Sequence, residues 1–247
     1  MRTVVIIQAR MGSTRLPGKV LKPLAGIPML EHVIRRAQAA PGVDEVCIAT
    51  TTHERDTPLV EMSHRFGAST FRGSEDDVLS RYAGAATATL AELVVRVTSD
   101  CPLYDPALLG EMLAAYHAQG GAGRFDHYSN SVVRTYPRGL DTEIFPAAVL
   151  YEVNATATEP MAREHVTWFI YRNPERYRLG HHVQPGGRDH SGLRWTVDTP
   201  EDYEFASSVY SNLYKKNPLF GFAEVLDLVT RHPELTAINA HVEQKKT

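Results

Sequence analysis

The chain predicts an α/β fold with a mainly parallel sheet, on three observations. Apolar β-branched runs alternate with helical patterns through the first half, as βαβ units require. The runs are continuous, Val4-Val5-Ile6-Ile7 and Val94-Val95 among them, which marks strands covered on both faces. The intervening helical stretches open at proline or an acidic residue, and two of them close at glycine.

In order, Thr3 to Ile7 reads as a buried first strand. Pro28 opens a helix with Leu30, Val33, Ile34 and Ala37 on one face, ended by Pro41-Gly42. Glu45 to Thr50 is a second strand. Asp56 or Thr57 caps a helix that has Pro58 at its start and Gly67 after its end. Ser69 to Arg72 is a short strand, and Asp76 or Asp77 starts a helix burying Val78, Leu79, Tyr82 and Ala86. Leu93 to Thr98 is another buried strand, followed by Ser99-Asp100-Cys101-Pro102 and a helix capped at Asp105-Pro106. After Gly120 the pattern loosens. Strands are expected at Tyr128 to Val133 and Thr142 to Phe145, and helices near Ala147 to Asn154 and Glu159 to Tyr171. Arg178 to Val183 and Leu193 to Val197 read as a hairpin. Asp198-Thr199-Pro200-Glu201 opens a helix through Tyr214, and an amphipathic helix runs from Phe222 to Arg231. The tail, Glu243 to Thr247, is polar and expected to fray. The whole reads as one domain, 1–247, with an insertion at about 124–190 and no separate second domain.

Bulk properties narrow the function. A hydrophobic content of 43% supports a full core, and a formal net charge of −3 points away from nucleic-acid and membrane binding. Cys47 and Cys101 are the two cysteines, too few for a disulfide framework or a zinc site. The eleven histidines show no metal-ligand spacing. No signal peptide or membrane span is expected, so a cytoplasmic location is.

Against that acidic background, the loop after the first strand is basic: Arg10, Arg15 and Lys19 among Gly12, Ser13, Thr14, Pro17 and Gly18. Glycine lets a backbone approach a phosphate chain, and the cations neutralise its oxygens. Walker A does not fit, because five residues separate Gly12 from Gly18 and Val20 follows Lys19. The dinucleotide fingerprint is absent as well.

The stretch Gln8-Ala9-Arg10-Met11-Gly12-Ser13-Thr14-Arg15-Leu16-Pro17-Gly18-Lys19 resembles the signature loop of the cytidylyltransferases that make CMP-activated sugar acids. The nearer branch is that of spore-coat polysaccharide biosynthesis protein F. The resemblance runs from Met1 to about Tyr210. It implies a three-layer Rossmann-like nucleotidyltransferase fold with a mixed, mainly parallel sheet and a small inserted β/α region. It implies transfer of CMP from CTP to an acidic small-molecule acceptor, with Mg²⁺ as cofactor and a homodimer as the working form.

Such chemistry calls for cations, backbone amides and a carboxylate pair, since positioning and charge stabilisation dominate nucleotidyl transfer. The resemblance implies that Arg10, Lys19 and Asp100 act in catalysis. It places Ala9, Met11, Gly12, Ser13 and Arg15 around the nucleotide, with Met11, Gly12 and Ser13 offering N–H groups. Arg15 has a second reading, as the partner of a nearby carboxylate. Arg72, Gly73 and Ser74 stand where the family reads the pyrimidine; the bland alternative is an ordinary acidic helix start. Asp100 and Asp198, both after strands, are the implied metal ligands. Each has a local alternative: Asp198 as a cap for the helix at Pro200, Asp100 as a turn former before Pro102. For the acceptor, Asn130, Arg138, Asp141 and Glu143 cluster around a turn, with Glu164 on a helix. Arg138 suits a carboxylate, phosphate or phosphonate. The rival readings are a glycosyltransferase of related fold, which lacks its Asp-x-Asp here, and a nucleotide-binding protein without catalysis.

Overall fold

The computed structural model describes residues 1–244, so part of the tail expected to fray, residues 245–247, lies outside the described residues. The first half runs β1 (Thr3–Gln8), β2 (Pro23–Leu24), β3 (Ile27–Pro28), α1 (Met29–Gln38), β4 (Glu45–Thr51), α2 (Thr57–Arg65), β5 (Ser69–Gly73), α3 (Val78–Ala88), β6 (Leu93–Thr98) and α4 (Pro106–Ala118). The second runs β7 (His127–Ser129), β8 (Glu143–Pro146), α5 (Ala147–Thr156), α6 (Pro160–Glu164), α7 (Trp168–Arg172), β9 (Leu179–His181), α8 (Pro200–Leu213), α9 (Phe222–Arg231) and α10 (Pro233–Ala237).

A seven-stranded sheet in the order β5-β4-β1-β6-β8-β7-β9 forms the middle layer. The pairs β1–β4, β1–β6 and β4–β5 are parallel, and β8 runs antiparallel to both β6 and β7. Side chains alternate across the pleat, so each central strand feeds two cores. Val5, Ile7, Val46, Ile48, Val95 and Val97 join α1, α4, α8 and α9 on one face. Val4, Ile6, Cys47 and Val94 join α3, α5, α6 and α7 on the other. This is the expected α/β class with a mixed, mainly parallel sheet, and it brings the ends of β1 and β6 side by side.

Four local expectations are corrected. The strand expected at 128–133 stops at Ser129, because the chain turns at 131–134. The helix expected over 159–171 is broken into α6 and α7. Thr167 sits at the break, and its hydroxyl donates to buried Glu143 at 2.7 Å. The expected hairpin does not form: β9 pairs in parallel with β7, and the run 193–197 meets the turn at Arg138 through one isolated bridge, Arg138 with Arg194. The cap of α8 is Thr199 rather than Asp198. Its side chain accepts from the Asp202 N–H, while Asp202 answers to the Thr199 N–H in a reciprocal capping box. The cap expected at Asp77 is present, and Asp105 caps α4 through the N–H groups of Ala107 and Leu108.

Candidate active site

The basic loop leaves β1 and returns through a tight 3-10 turn at Lys19–Leu21, preceded by Gly18 at φ +64°. That left-handed turn carries the Lys19 stem inward, where its side chain is 12% exposed. The Lys19 ammonium donates to Asp198 Oδ1 at 2.8 Å, to the Val197 carbonyl at 2.9 Å and to Asp100 Oδ2 at 3.2 Å. Three donors meet three acceptors. Two carboxylates that lie 98 residues apart in the chain thus face each other across one cation. Burial alone would lower the Lys19 pKa, but Asp100 and Asp198 outweigh it and hold it above the ordinary value. Burial likewise pushes Asp100 up, and Lys19 brings it below the usual carboxylate range.

The β6 end and the stretch before α8 are stitched together beneath this cluster. Val197 donates its N–H to the Asp100 carbonyl at 2.8 Å, and the Thr196 hydroxyl donates to the same oxygen at 3.2 Å. Asp198 is then fixed from its far side. Arg194 gives Nη2 to Asp198 Oδ2 at 3.1 Å, and grips Asp202 with Nε and Nη2, each at 2.8 Å. Asp202 also accepts the Asp198 N–H at 3.0 Å and the Asn239 side chain at 2.9 Å. Burial would raise the Asp202 pKa, and Arg194 and Asn239 bring it down. Arg15 completes the set, with Nη2 at 3.2 Å from Asp198 Oδ1. Arg15 therefore takes its carboxylate-pairing role in this state.

At the other end of the loop a second carboxylate gathers two arginines and a histidine. Glu75 accepts from Arg10 at 3.2 Å, from His53 at 2.7 Å and from Arg55. Arg55 lies against the loop itself: a Cβ on Gly12 would come within 3.1 Å of its Nη2. The Met11 N–H is engaged by buried Asp56 at 2.7 Å, and the Ser13 N–H by the Met11 carbonyl at 2.9 Å. Of the three amides expected to face phosphate, Gly12 alone has no partner among the described residues. Ala9 is buried, with its N–H on the Ala49 carbonyl at 3.2 Å.

The expected pyrimidine readers are largely engaged within the protein. Arg72 donates to the carbonyls of Thr51 at 2.9 Å and His53 at 2.7 Å, tying β5 to the turn after β4. Ser74 accepts the Asp77 N–H at 3.0 Å, and Gly73 gives its carbonyl to Thr52 at 3.1 Å.

The acceptor candidates separate. Asn130 is buried and clasps the turn, giving Nδ2 to the Leu140 carbonyl and accepting the Thr142 N–H, both at 2.8 Å. Glu143 is buried between Arg96 at 3.0 Å, Thr167 at 2.7 Å and Ser131 at 3.2 Å. Asp141 pairs with Arg134. Arg138 is different. Its guanidinium is half-buried, has no partner among the described residues, and lies near Arg134, Asp141 and Arg194; burial, with the two arginines, lowers its pKa. Glu164 is exposed at the end of α6. Sequence reasoning missed Arg194, Asp202, Glu75, Arg55 and Arg96. For Asp202 a local signal existed, a threonine followed three residues later by an acid at a helix start.

A basic loop at one strand end, opposed by two converging carboxylates, defines an α/β nucleotidyltransferase. The cytidylyltransferase family model matches residues 4–224, and the chain belongs to that family. It is 34% identical over 234 residues to the spore coat polysaccharide biosynthesis protein SpsF of Bacillus subtilis (strain 168), covering 93% of this chain and 94% of that one. It is 36% identical over 182 residues to a 3-deoxy-manno-octulosonate cytidylyltransferase of Anaeromyxobacter dehalogenans (strain 2CP-C), covering 68% and 72%. A solved cytidylyltransferase from Leptospira borgpetersenii serovar Hardjo-bovis (strain JB197) superposes with a TM-score of 0.90, at 31% identity over the whole of both chains.

Proposed function

We propose that this cytidylyltransferase moves CMP from CTP to a sugar acid of the nonulosonate or octulosonate class and releases pyrophosphate. A phosphonate is the second acceptor class that Arg138 would suit. The observation that carries the proposal is the meeting of Asp100 and Asp198 on Lys19 beside a loop holding Arg10 and Arg15. Carboxylate oxygens converging on one cation fit a hard divalent ion, and Lys19 stands in for it. Among the described residues no cluster of three His, Cys, Asp or Glu side chains adds another ligand, so phosphate oxygens and water would complete the shell. Mg²⁺ held by Asp100 and Asp198 would supply charge neutralisation on the leaving pyrophosphate and lower the acceptor hydroxyl pKa.

The chain's own groups do the rest. Arg10 and Lys19 neutralise phosphate oxygens as negative charge builds toward the leaving group, and the Gly12 N–H adds a donor. Arg138 anchors the acid group of the acceptor, so that its hydroxyl lies in line with the α-phosphate. The segment 124–190 is read as the acceptor-binding insertion of one domain. By family likeness the working form is a homodimer, and the location read from the sequence is cytoplasmic; among the described residues no helix is long and apolar enough to cross a membrane.

The test is a matrix of four nucleoside triphosphates against a panel of sugar acids and phosphonates, with pyrophosphate as the readout and mass spectrometry on the product. Pyrophosphate is expected with CTP and a sugar acid. Asp100→Asn is expected to lower kcat by about 10²–10³-fold, the scale for removing one charge-stabilising group. Release of a nucleoside diphosphate from a sugar donor, with no pyrophosphate from CTP, would overturn the proposal in favour of a glycosyltransferase.

A further inference from the structure

The geometry points to Lys19 as the resident counter-ion of the divalent-metal site: metal and triphosphate displace it together, and their binding is coupled through this one side chain. This rests on the cytidylyl-transfer proposal above.

The Lys19 ammonium makes all three of its hydrogen bonds within the cluster that would hold the metal. A divalent ion and the ammonium cannot both lie on Asp198 Oδ1 and Asp100 Oδ2 without like-charge repulsion. In the absence of nucleotide, an incoming metal would have to expel a buried cation from both of its ion pairs among the described residues. Adding the triphosphate changes the balance, because the phosphate chain becomes the new partner for the ammonium. In the other direction, a triphosphate arriving alone would draw Lys19 away, leaving Asp100 without its ion-pair partner and Asp198 with Arg194 and Arg15 alone. Each ligand therefore removes the obstacle to the other, which is positive coupling, and by linkage the factor is the same both ways.

The surroundings fit an exchange at one oxygen. Asp198 Oδ2 is held by Arg194, whose side chain is 9% exposed and locked to fully buried Asp202. Oδ1 carries Lys19 together with Arg15, whose side chain is 45% exposed. Lys19 itself hangs from the loop on a flexible four-carbon stem, so its head can swing while the Gly18 turn stays put. Arg194 thus keeps Asp198 aimed through the exchange, and the loop cations are the mobile partners.

The probe is Mn²⁺ alone on the nucleotide-free, full-length protein, with free Mn²⁺ read by electron paramagnetic resonance. Lys19→Met and Lys19→Gln are expected to bind Mn²⁺ at least about tenfold more tightly than the parent, within the ~5–150-fold range of coupling factors. Their thermal midpoints should rise with Mn²⁺ more than the parent's does. Placing Asp100→Asn on top of Lys19→Met should abolish the gain. Folded Lys19 variants that bind Mn²⁺ no better than the parent would overturn the exchange. A separate control distinguishes the two levels. In the parent with CTP present, Asp100→Asn should weaken Mn²⁺ binding. If it does not, the metal assignment itself fails; if it does while the Lys19 variants are unchanged, the exchange alone fails.

Discussion

At the scale of single residues, two carboxylates on opposite sides of the loop do the same job. Asp198 gathers Lys19, Arg15 and Arg194, and Glu75 gathers Arg10, Arg55 and His53. Clustered cations repel one another, and an anion at their centre keeps them in place before a polyanionic substrate arrives. On the proposed reading of Arg10 as a phosphate ligand, Glu75 would compete with the phosphate chain for it. Glu75→Gln should leave Arg10 and Arg55 without a charged partner and lower the KM for CTP by about 1.5-fold to fivefold, the range expected for a partly exposed ion pair. The kcat should change little, since the interaction released acts on ground-state binding. Steady-state kinetics at low and high salt provide the check, and the gain should shrink as screening increases. A rise in KM would mean that Glu75 aligns Arg10 rather than competing for it.

At the scale of elements, what the sequence revealed depended on how local its cause was. The first strand, the loop cations and the carboxylate after β6 were readable because each lies in one continuous stretch. The role of Arg72 was not readable, because its carbonyl partners Thr51 and His53 become neighbours only when β5 pairs with β4. Nor was the break between α6 and α7, which follows a bond from Thr167 to Glu143, 24 residues away. The hairpin read at 178–197 failed for the same reason: the partner of β9 is β7, about fifty residues earlier. The run 193–197 instead lies against the Arg138–Gly139 turn, where Trp195 donates its N–H to the Arg138 carbonyl at 2.7 Å. Gly139 has φ +110°, and a Cβ there would meet the Thr196 nitrogen at 2.6 Å. Gly139→Ala should therefore cost about 2–4 kcal/mol, combining backbone strain with backbone overlap. The same displacement should raise the acceptor KM, because Arg138 and Asp198 flank this contact on its two segments. Chemical denaturation and acceptor kinetics test both, and a variant as stable as the parent would show that the turn yields freely.

For the molecule as a whole, stability against acid should fall in two stages with different causes. His127 is fully buried against Phe145, its ring nitrogens have no partner among the described residues, and burial lowers its pKa to about 4. Nearby Glu143 works against that shift, while His181 and Arg96 reinforce it. His32, buried beneath Tyr210 with its Nε2 by the Leu24 carbonyl, is also lowered to about 4, by burial first and then by Arg36 and Arg35. For a base with a lowered folded pKa, the unfolded chain binds the extra proton first. Each histidine's contribution is therefore complete above its unfolded value, near 6.5, and is lost progressively as pH falls to about 4. Each shift is worth roughly 3 kcal/mol over that window. A second stage belongs to Glu143 and Asp202, whose carboxyls are held below their ordinary values by Arg96 and Arg194 against the effect of burial. Lowered acids lose their contribution as pH falls from the ordinary carboxylate values of the unfolded chain through those depressed values. Urea midpoints measured from pH 8 to pH 3 should accordingly decline from about pH 6.5 and steepen at the acid end. His127→Phe, which keeps an aromatic ring against Phe145, should flatten the upper stage by about half and leave the Asp202 share of the lower one intact. A midpoint constant between pH 6.5 and 4.5 in the parent would mean that these imidazoles take up protons within the folded protein.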